Sequence, residues 1–198
     1  MTPTPLLVVL SGPSGAGKDA ILDELARRGH PFHRAVTCTT RPPREGERDG
    51  LDYHFVSDAG FDRLIAEDGL LEHALVYNHR YGVPRAPVAE ALRAGADVYV
   101  RTDVQGAATI KRLAPGAVLV FVAPASLDEL EARLRARGPA DERDIARRLQ
   151  TAREEMSRAP AFDHTLPNPP GALDETVARI EEILDQERRT PHDLTALL

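Results

Sequence analysis

Apolar residues follow two rhythms along this chain. Short unbroken runs, PLLVVLSG at 5–12, ADVYVRTD at 96–103 and AVLVFVAP at 117–124, are rich in valine and leucine. Such runs predict strands buried on both faces, as in a parallel sheet. Elsewhere apolar residues recur every three or four positions, which predicts helices. Ile21, Leu22 and Leu25 share one face of 18–28, and Gly29 follows as a stop. The same rhythm runs through PVAEALRAG at 87–95, VQGAATIKRLA at 104–114 and SLDELEARLRARG at 126–138, capped by Ser126. It returns in DERDIARRLQTAREEMSRA at 141–159 and LDETVARIEEILDQERR at 173–189. FDHTLPNPPG at 162–171 reads as a short strand and a turn.

The stretch from about 35 to 83 breaks the alternation. RAVTCT at 34–39 predicts a strand, and the region after it is rich in proline, glycine and charge. LDYHFVS at 51–57 alternates like a half-exposed strand, and Ser57 caps a helix over DAGFDRLIAEDG. LLEHALVYNHRYGV at 70–83 predicts two short strands around a turn at Asn78 and His79. Strands alternating with helices imply a three-layer α/β fold with a mostly parallel sheet, and the irregular stretch implies a subdomain inserted beside it. The tail TPHDLTALL, within 189–198, shows no role in the pattern.

The first strand runs into SGPSGAGKDA, where Gly12, Gly17 and Lys18 fit G-x-x-x-x-G-K, with Pro13, Ser14, Gly15 and Ala16 between. Glycines let backbone N–H groups converge on phosphate oxygens, and the following helix adds its positive end. Lys18 can reach the outer phosphates of a triphosphate and follow the charge during transfer. A strand before and a helix after supply the context this motif requires. The next position ordinarily carries a hydroxyl for magnesium, and here it is Asp19. A carboxylate is also a hard oxygen ligand, so Asp19 is expected to remain a metal ligand and to make magnesium dependence unusually strict. An acid at a helix start also suits the dipole.

Together with GPSGAGK, the stretch TTRPPREGERDGLDYHFVS at 39–57 resembles guanylate kinase. So do LLEHALVYNHRYGVP, DVQGA, the arginine-rich segment from 131 to 155, and FDHTLPN, all in the family's order. The resemblance spans roughly residues 6–188, which assigns a single kinase domain to 4–188, with a phosphate loop at 12–19 and a lid at about 138–150. It implies a P-loop nucleoside monophosphate kinase fold, transfer of the γ-phosphoryl of ATP to GMP, and magnesium as cofactor. Arg41 and Arg44 would hold the GMP phosphate with Tyr53 and Tyr81. Glu72 would accept from N1–H and the exocyclic amine of guanine, with Thr37 nearby. Asp103 would lie near the base and the metal, so that Asp19 and Asp103 form the implied metal set. Arg133, Arg137 and Arg148 match lid arginines that approach the ATP phosphates, and Lys18, Arg41, Arg137 and Arg148 form the implied catalytic set. Two positions depart from the family: Val83 stands where some members have a hydroxyl, and Arg101 replaces an acid found in many.

The chain's 198 residues suit one domain, and its net charge of -6 argues against a general nucleic-acid binder. Lys18 and Lys111 are the only lysines, which makes a lysine in the glycine loop more telling. The single cysteine, Cys38, excludes an internal disulfide framework and fits a reducing compartment. The N-terminal apolar run is too short for a bilayer span, so a cytoplasmic protein is expected, acting on GMP and ATP without a membrane or nucleic-acid partner. His54, His73 and His79 form no recognisable zinc set. Two rival readings are a kinase for ribose bisphosphate, which shares the aspartate after the lysine, and a non-catalytic guanylate-kinase-like module. Glu72, with the intact TTRPPR and DYHF, favours GMP over the first, and the complete glycine loop opposes the second. Nothing in the sequence sets the oligomeric state.

Overall fold

The computed structural model describes residues 4–76, 78–136 and 141–198. A five-stranded sheet contains β1 (Leu7–Ser11), β2 (Phe32–Arg34), β7 (Asp97–Arg101), β8 (Val118–Ala123) and β9 (His164–Pro167). Its order is β2-β7-β1-β8-β9, and every pairing is parallel. A second sheet, ordered β4-β3-β6-β5, joins β3 (Cys38–Thr39), β4 (His54–Phe55), β5 (Leu70–Val76) and β6 (His79–Pro84). The helices are α1 (Lys18–Arg27), α2 (Asp58–Ala66), α3 (Arg85–Arg93), α4 (Val104–Leu113), α5 (Leu127–Ala136), α6 (Glu142–Ser157) and α7 (Leu173–Glu187).

The expected three layers are present. On one face of the large sheet, Leu6, Val8, Leu10, Val118, Val120 and Val122 pack against Ile21, Leu22 and Leu25 of α1 and Val177, Ile180 and Leu184 of α7. On the other face, Leu7, Val9, Val98, Val100 and Leu119 meet Val88 and Leu92 of α3 and Ala107 and Ile110 of α4. This second cluster also takes in Leu71 and Val83, which ties the small sheet to the main core. The small sheet has its own nucleus in Cys38, Phe61 and Leu70. Leu130, Leu134, Ile145 and Leu149 hold α5 and α6 together as a separate pair.

Three readings of the sequence change. RAVTCT does not form one strand: β2 belongs to the large sheet and β3 to the small one, and the chain crosses between them at Ala35–Thr37. LDYHFVS contributes only the two-residue β4 and an isolated bridge between Asp49 and Tyr53, because short pairing to β3 replaces a full ladder. The tail docks: Leu194 and Leu197 are buried in the α3/α4 core, and Gly116 N–H donates to the Asp193 carbonyl at 2.9 Å. Gly138, where the α5 pattern was expected to end, lies outside the described residues.

The docked tail makes a stability prediction. Leu194→Ala should cost about 2–5 kcal/mol, the usual range for emptying a buried leucine site. Urea unfolding checks this, and a midpoint equal to the native one would show that the tail carries no load.

Candidate active site

The glycine loop lies at the C-terminal edge of the parallel sheet, between β1 and α1. In this topology the chain leaves β1 for the edge strand β2, returns to β7, then passes to β8 on the other side of β1. That reversal opens a crevice at the strand ends, where α/β folds bind ligands. Gly12 shows why the loop needs its glycines. Its φ is 130°, and a Cβ there would come within 2.2 Å of the Val122 carbonyl oxygen. Lys18 donates from Nζ to the Pro13 carbonyl at 3.1 Å and also to that of Gly12, so the ammonium arches over the loop. Ser14 is exposed at the loop tip, while Ala16 is buried beneath it.

The loop is buttressed from behind. Asn168 Nδ2 donates to the Ala16 carbonyl at 2.7 Å, and the Thr176 hydroxyl donates to Asn168 Oδ1 at 3.2 Å. Arg133 donates to the carbonyls of Gly15 at 3.3 Å, Ala16 at 3.4 Å and Asn168 at 2.8 Å. Arg133, which the resemblance aims at the ATP phosphates, here reaches the backbone carbonyls of the loop. Arg148 is paired with Asp144 within α6 at 2.7 Å. Arg137 lies outside the described residues. Sequence reasoning missed Asn168, although the Asn-Pro after a short strand marked a turn there.

The small sheet presents the acceptor side. Arg41 is buried and stacks near the rings of Tyr53 and Phe55, at 5.3 and 5.8 Å to their centroids. Tyr53 and Tyr81 meet edge to face at 6.1 Å. Glu47, which the sequence did not single out, accepts from Arg41 Nη2 at 2.8 Å and from the Arg44 backbone N–H at 2.7 Å. That contact to Arg41, above all, holds its carboxyl below the ordinary range. The Arg44 side chain is exposed on the same loop. Thr37 is buried, and its carbonyl accepts from His54 N–H at 2.9 Å. Cys38 packs rather than reacts: its thiol donates to the Gly82 carbonyl at 3.2 Å, and burial pushes its pKa up to about 11.

Glu72 occupies the seam between the two sheets. It is 5% exposed, and its Oε2 is buried with no hydrogen-bond partner among the described residues. Burial, reinforced by the nearby charge of Asp103, raises its pKa to about 7, and the Thr102 hydroxyl partly opposes this. Asp103 caps α4, its Oδ1 accepting from the N–H groups of Gln105 at 2.9 Å and Gly106 at 2.8 Å. Gly106 is the residue that lets this seam close. A Cβ there would meet Thr102 Oγ1 at 2.0 Å and Glu72 Oε2 at 2.5 Å. A glycine inside a helical pattern was the signal that sequence reasoning passed over. Val83, opposite Glu72 in the ladder, is fully buried in the apolar core.

Glu155 of α6 is a further missed residue. Burial raises its pKa, the Lys18 ammonium opposes that rise, and Asp103 adds to it, so α6 brings a carboxylate toward the loop lysine. Asp19 sits in the first turn of α1, at the positive end of the helix. Its Oδ1 accepts from Arg34 Nη2 at 2.6 Å and from Arg101 Nη1. Among the described residues, no three His, Cys, Asp or Glu side chains converge to hold a metal. Nucleotide-bound magnesium takes most of its ligands from phosphate and water and needs only one or two carboxylates. Asp103, with Oδ2 outside its cap, fits that demand. Asp19, already carrying two guanidinium groups on one oxygen, does not.

Comparison with known proteins agrees with this geometry. The family model described as guanylate kinase matches residues 4–187. A guanylate kinase of Gloeobacter violaceus is 48% identical over 185 residues, covering 93% of this chain and 89% of its own. One of Thermobifida fusca is 50% identical over 162 residues, covering 82% and 83%. The crystal structure of guanylate kinase from Anaplasma phagocytophilum superposes with a TM-score of 0.76 at 30% identity, covering 95% of this chain and 88% of that one. A glycine loop at the strand ends and a buried carboxylate with one oxygen lacking a protein donor, in a chain matched along nearly all its length, place this protein in the guanylate kinase family.

Proposed function

We propose that the chain transfers the γ-phosphoryl group of ATP to GMP, giving ADP and GDP, in the cytoplasm and with magnesium. The observation that carries the choice of acceptor is Glu72 Oε2, a buried acceptor with no protein donor. Guanine offers two adjacent donors, N1–H and the exocyclic amine, and adenine lacks that pair. One ionised carboxylate therefore discriminates strongly, because a wrong base leaves it buried and unpaired.

The chain's residues act mainly by holding two anions in line. Backbone N–H groups from Ser14 to Lys18 cradle the triphosphate, and Lys18 follows the γ-phosphoryl group. Arg41, Arg44, Tyr53 and Tyr81 hold the GMP phosphate, with Thr37 beside the base. An oxygen of that phosphate attacks the γ-phosphorus while the bond to the bridging oxygen of ADP breaks, so no strong general base is needed. Asp103 would hold magnesium, which when bound offsets the phosphate charge. Arg133, Arg137 and Arg148 would approach the ATP phosphates as the lid at about 138–150 closes to exclude water. No helix among the described residues is long and apolar enough to cross a membrane.

ADP release measured with GMP, AMP, CMP, UMP and ribose bisphosphate tests the acceptor. Turnover should require GMP. Turnover only with the sugar phosphate would overturn the reading.

Gly106→Ala should displace the Glu72 carboxylate and raise the KM for GMP at least tenfold, with little change for ATP. Steady-state kinetics with each substrate varied in turn checks it.

Glu72 makes a pH prediction. Its folded pKa of about 7 exceeds the unfolded value, so the folded state binds more protons and loses stability as pH rises from about 4.5 to 7. That loss is on the order of 3 kcal/mol. Glu72→Gln should remove it: the variant gains on the native protein in urea unfolding at pH 8, and the gain shrinks toward pH 4. The same variant should lose GMP binding far more than ATP binding. Guanine needs the ionised carboxylate, so native affinity for GMP should fall as pH drops below about 7, by up to about tenfold per pH unit. Calorimetry on both proteins separates this from titration of the substrate phosphate.

A further inference from the structure

Asp19, the departure from the glycine-loop motif, and Arg101, a departure from the family, meet in space. β2 and β7 are adjacent parallel strands whose C-terminal residues are Arg34 and Arg101, and both guanidinium groups converge on Asp19 Oδ1. Arg34 also pairs with Asp23 at 2.7 Å, which leaves Arg101 as the member not bound to a second acid. The side chains differ in depth: Asp19 is 59% exposed and Arg101 14%. The acid thus stands at the rim, and the guanidinium lies inside the crevice.

Arg101 points across the seam. Its Cζ is 6.0 Å from the centroid of Tyr53, the ring that Arg41 faces at 5.3 Å. Two guanidinium groups, Arg101 at the end of β7 and Arg41 just after β3, therefore face a single phenol on the acceptor side. Arg101 Nε is buried and has no hydrogen-bond partner among the described residues. An arginine held through Nη1, with a desolvated donor unused, is ready to bind an anion with its remaining edge.

We propose that Arg101 is a phosphate-binding residue for the acceptor monophosphate, and that Asp19 is the residue that aims it rather than a direct ligand of magnesium. This rests on the GMP kinase reading. An anchored guanidinium keeps its charge where the second anion must arrive, and anchoring through Asp19 links it to the residue next to Lys18. Two guanidinium groups on one carboxylate oxygen repel a dication from that oxygen, so the metal finds its protein ligand elsewhere.

Calorimetry without magnesium tests the proposal with GMP, guanosine and ATP as probes on native protein, Arg101→Gln, Arg101→Lys and Asp19→Ser. Arg101→Gln should weaken GMP roughly 10- to 100-fold, as loss of a charge-assisted hydrogen bond does. Guanosine, which lacks the phosphate, and ATP should change less than about twofold. Arg101→Lys should fall between, because it keeps the charge and loses the fork. Asp19→Ser should weaken GMP more mildly and leave the magnesium concentration for half-maximal turnover unchanged. Equal losses for GMP and guanosine would reduce Arg101 to a structural role. A selective loss of ATP would put it on the donor side, and a several-fold rise in the magnesium requirement of Asp19→Ser would restore the metal role; each result overturns the proposal. Failure of the native protein to bind GMP would instead overturn the acceptor assignment itself.

Discussion

Glu72 is kept out of water at the line where two sheets meet, with one carboxylate oxygen lacking a protein donor. Burying such a group is unfavourable, and the packing of the surrounding seam holds it in place. Leu71 and Val83, on either side of the carboxylate's place in the ladder, are locked into the same core as α3 and α4. Gly106 permits the approach by having no side chain, and Asp103 closes the far side as the cap of α4. The raised pKa of Glu72 is the energetic signature of this arrangement. A buried acceptor without a donor is a stored preference for a ligand that brings two.

The rest of the crevice manages charge. The chain is acidic overall, yet arginines gather where anions must meet. Five of them are steadied by acids: Arg41 by Glu47, Arg101 and Arg34 by Asp19, Arg148 by Asp144, Arg133 by Glu129. Such pairing limits repulsion among the cations and fixes their direction before a ligand arrives. The acids also explain how closely spaced arginines coexist in a small subdomain whose apolar nucleus, among the described residues, is Cys38, Phe61 and Leu70 with a few partly buried neighbours.

The sequence by itself determined the strands of the large sheet, because residues buried on both faces must be continuously apolar, and the helices, because one face must be. It determined the glycine loop, since only glycine tolerates the backbone of Gly12, and it named Glu72, Arg41 and Lys18 by motif order. Tertiary structure alone decided that RAVTCT serves two sheets, since each half pairs with strands distant in sequence, β7 for one and β6 for the other. It decided that the tail is core, since two leucines beyond the last helical pattern carry no period of their own. It decided that Asp19 faces Arg101 across 82 positions. Contacts of that kind depend on which strands become neighbours, and sheet order is a property of the folded chain that local spacing does not encode.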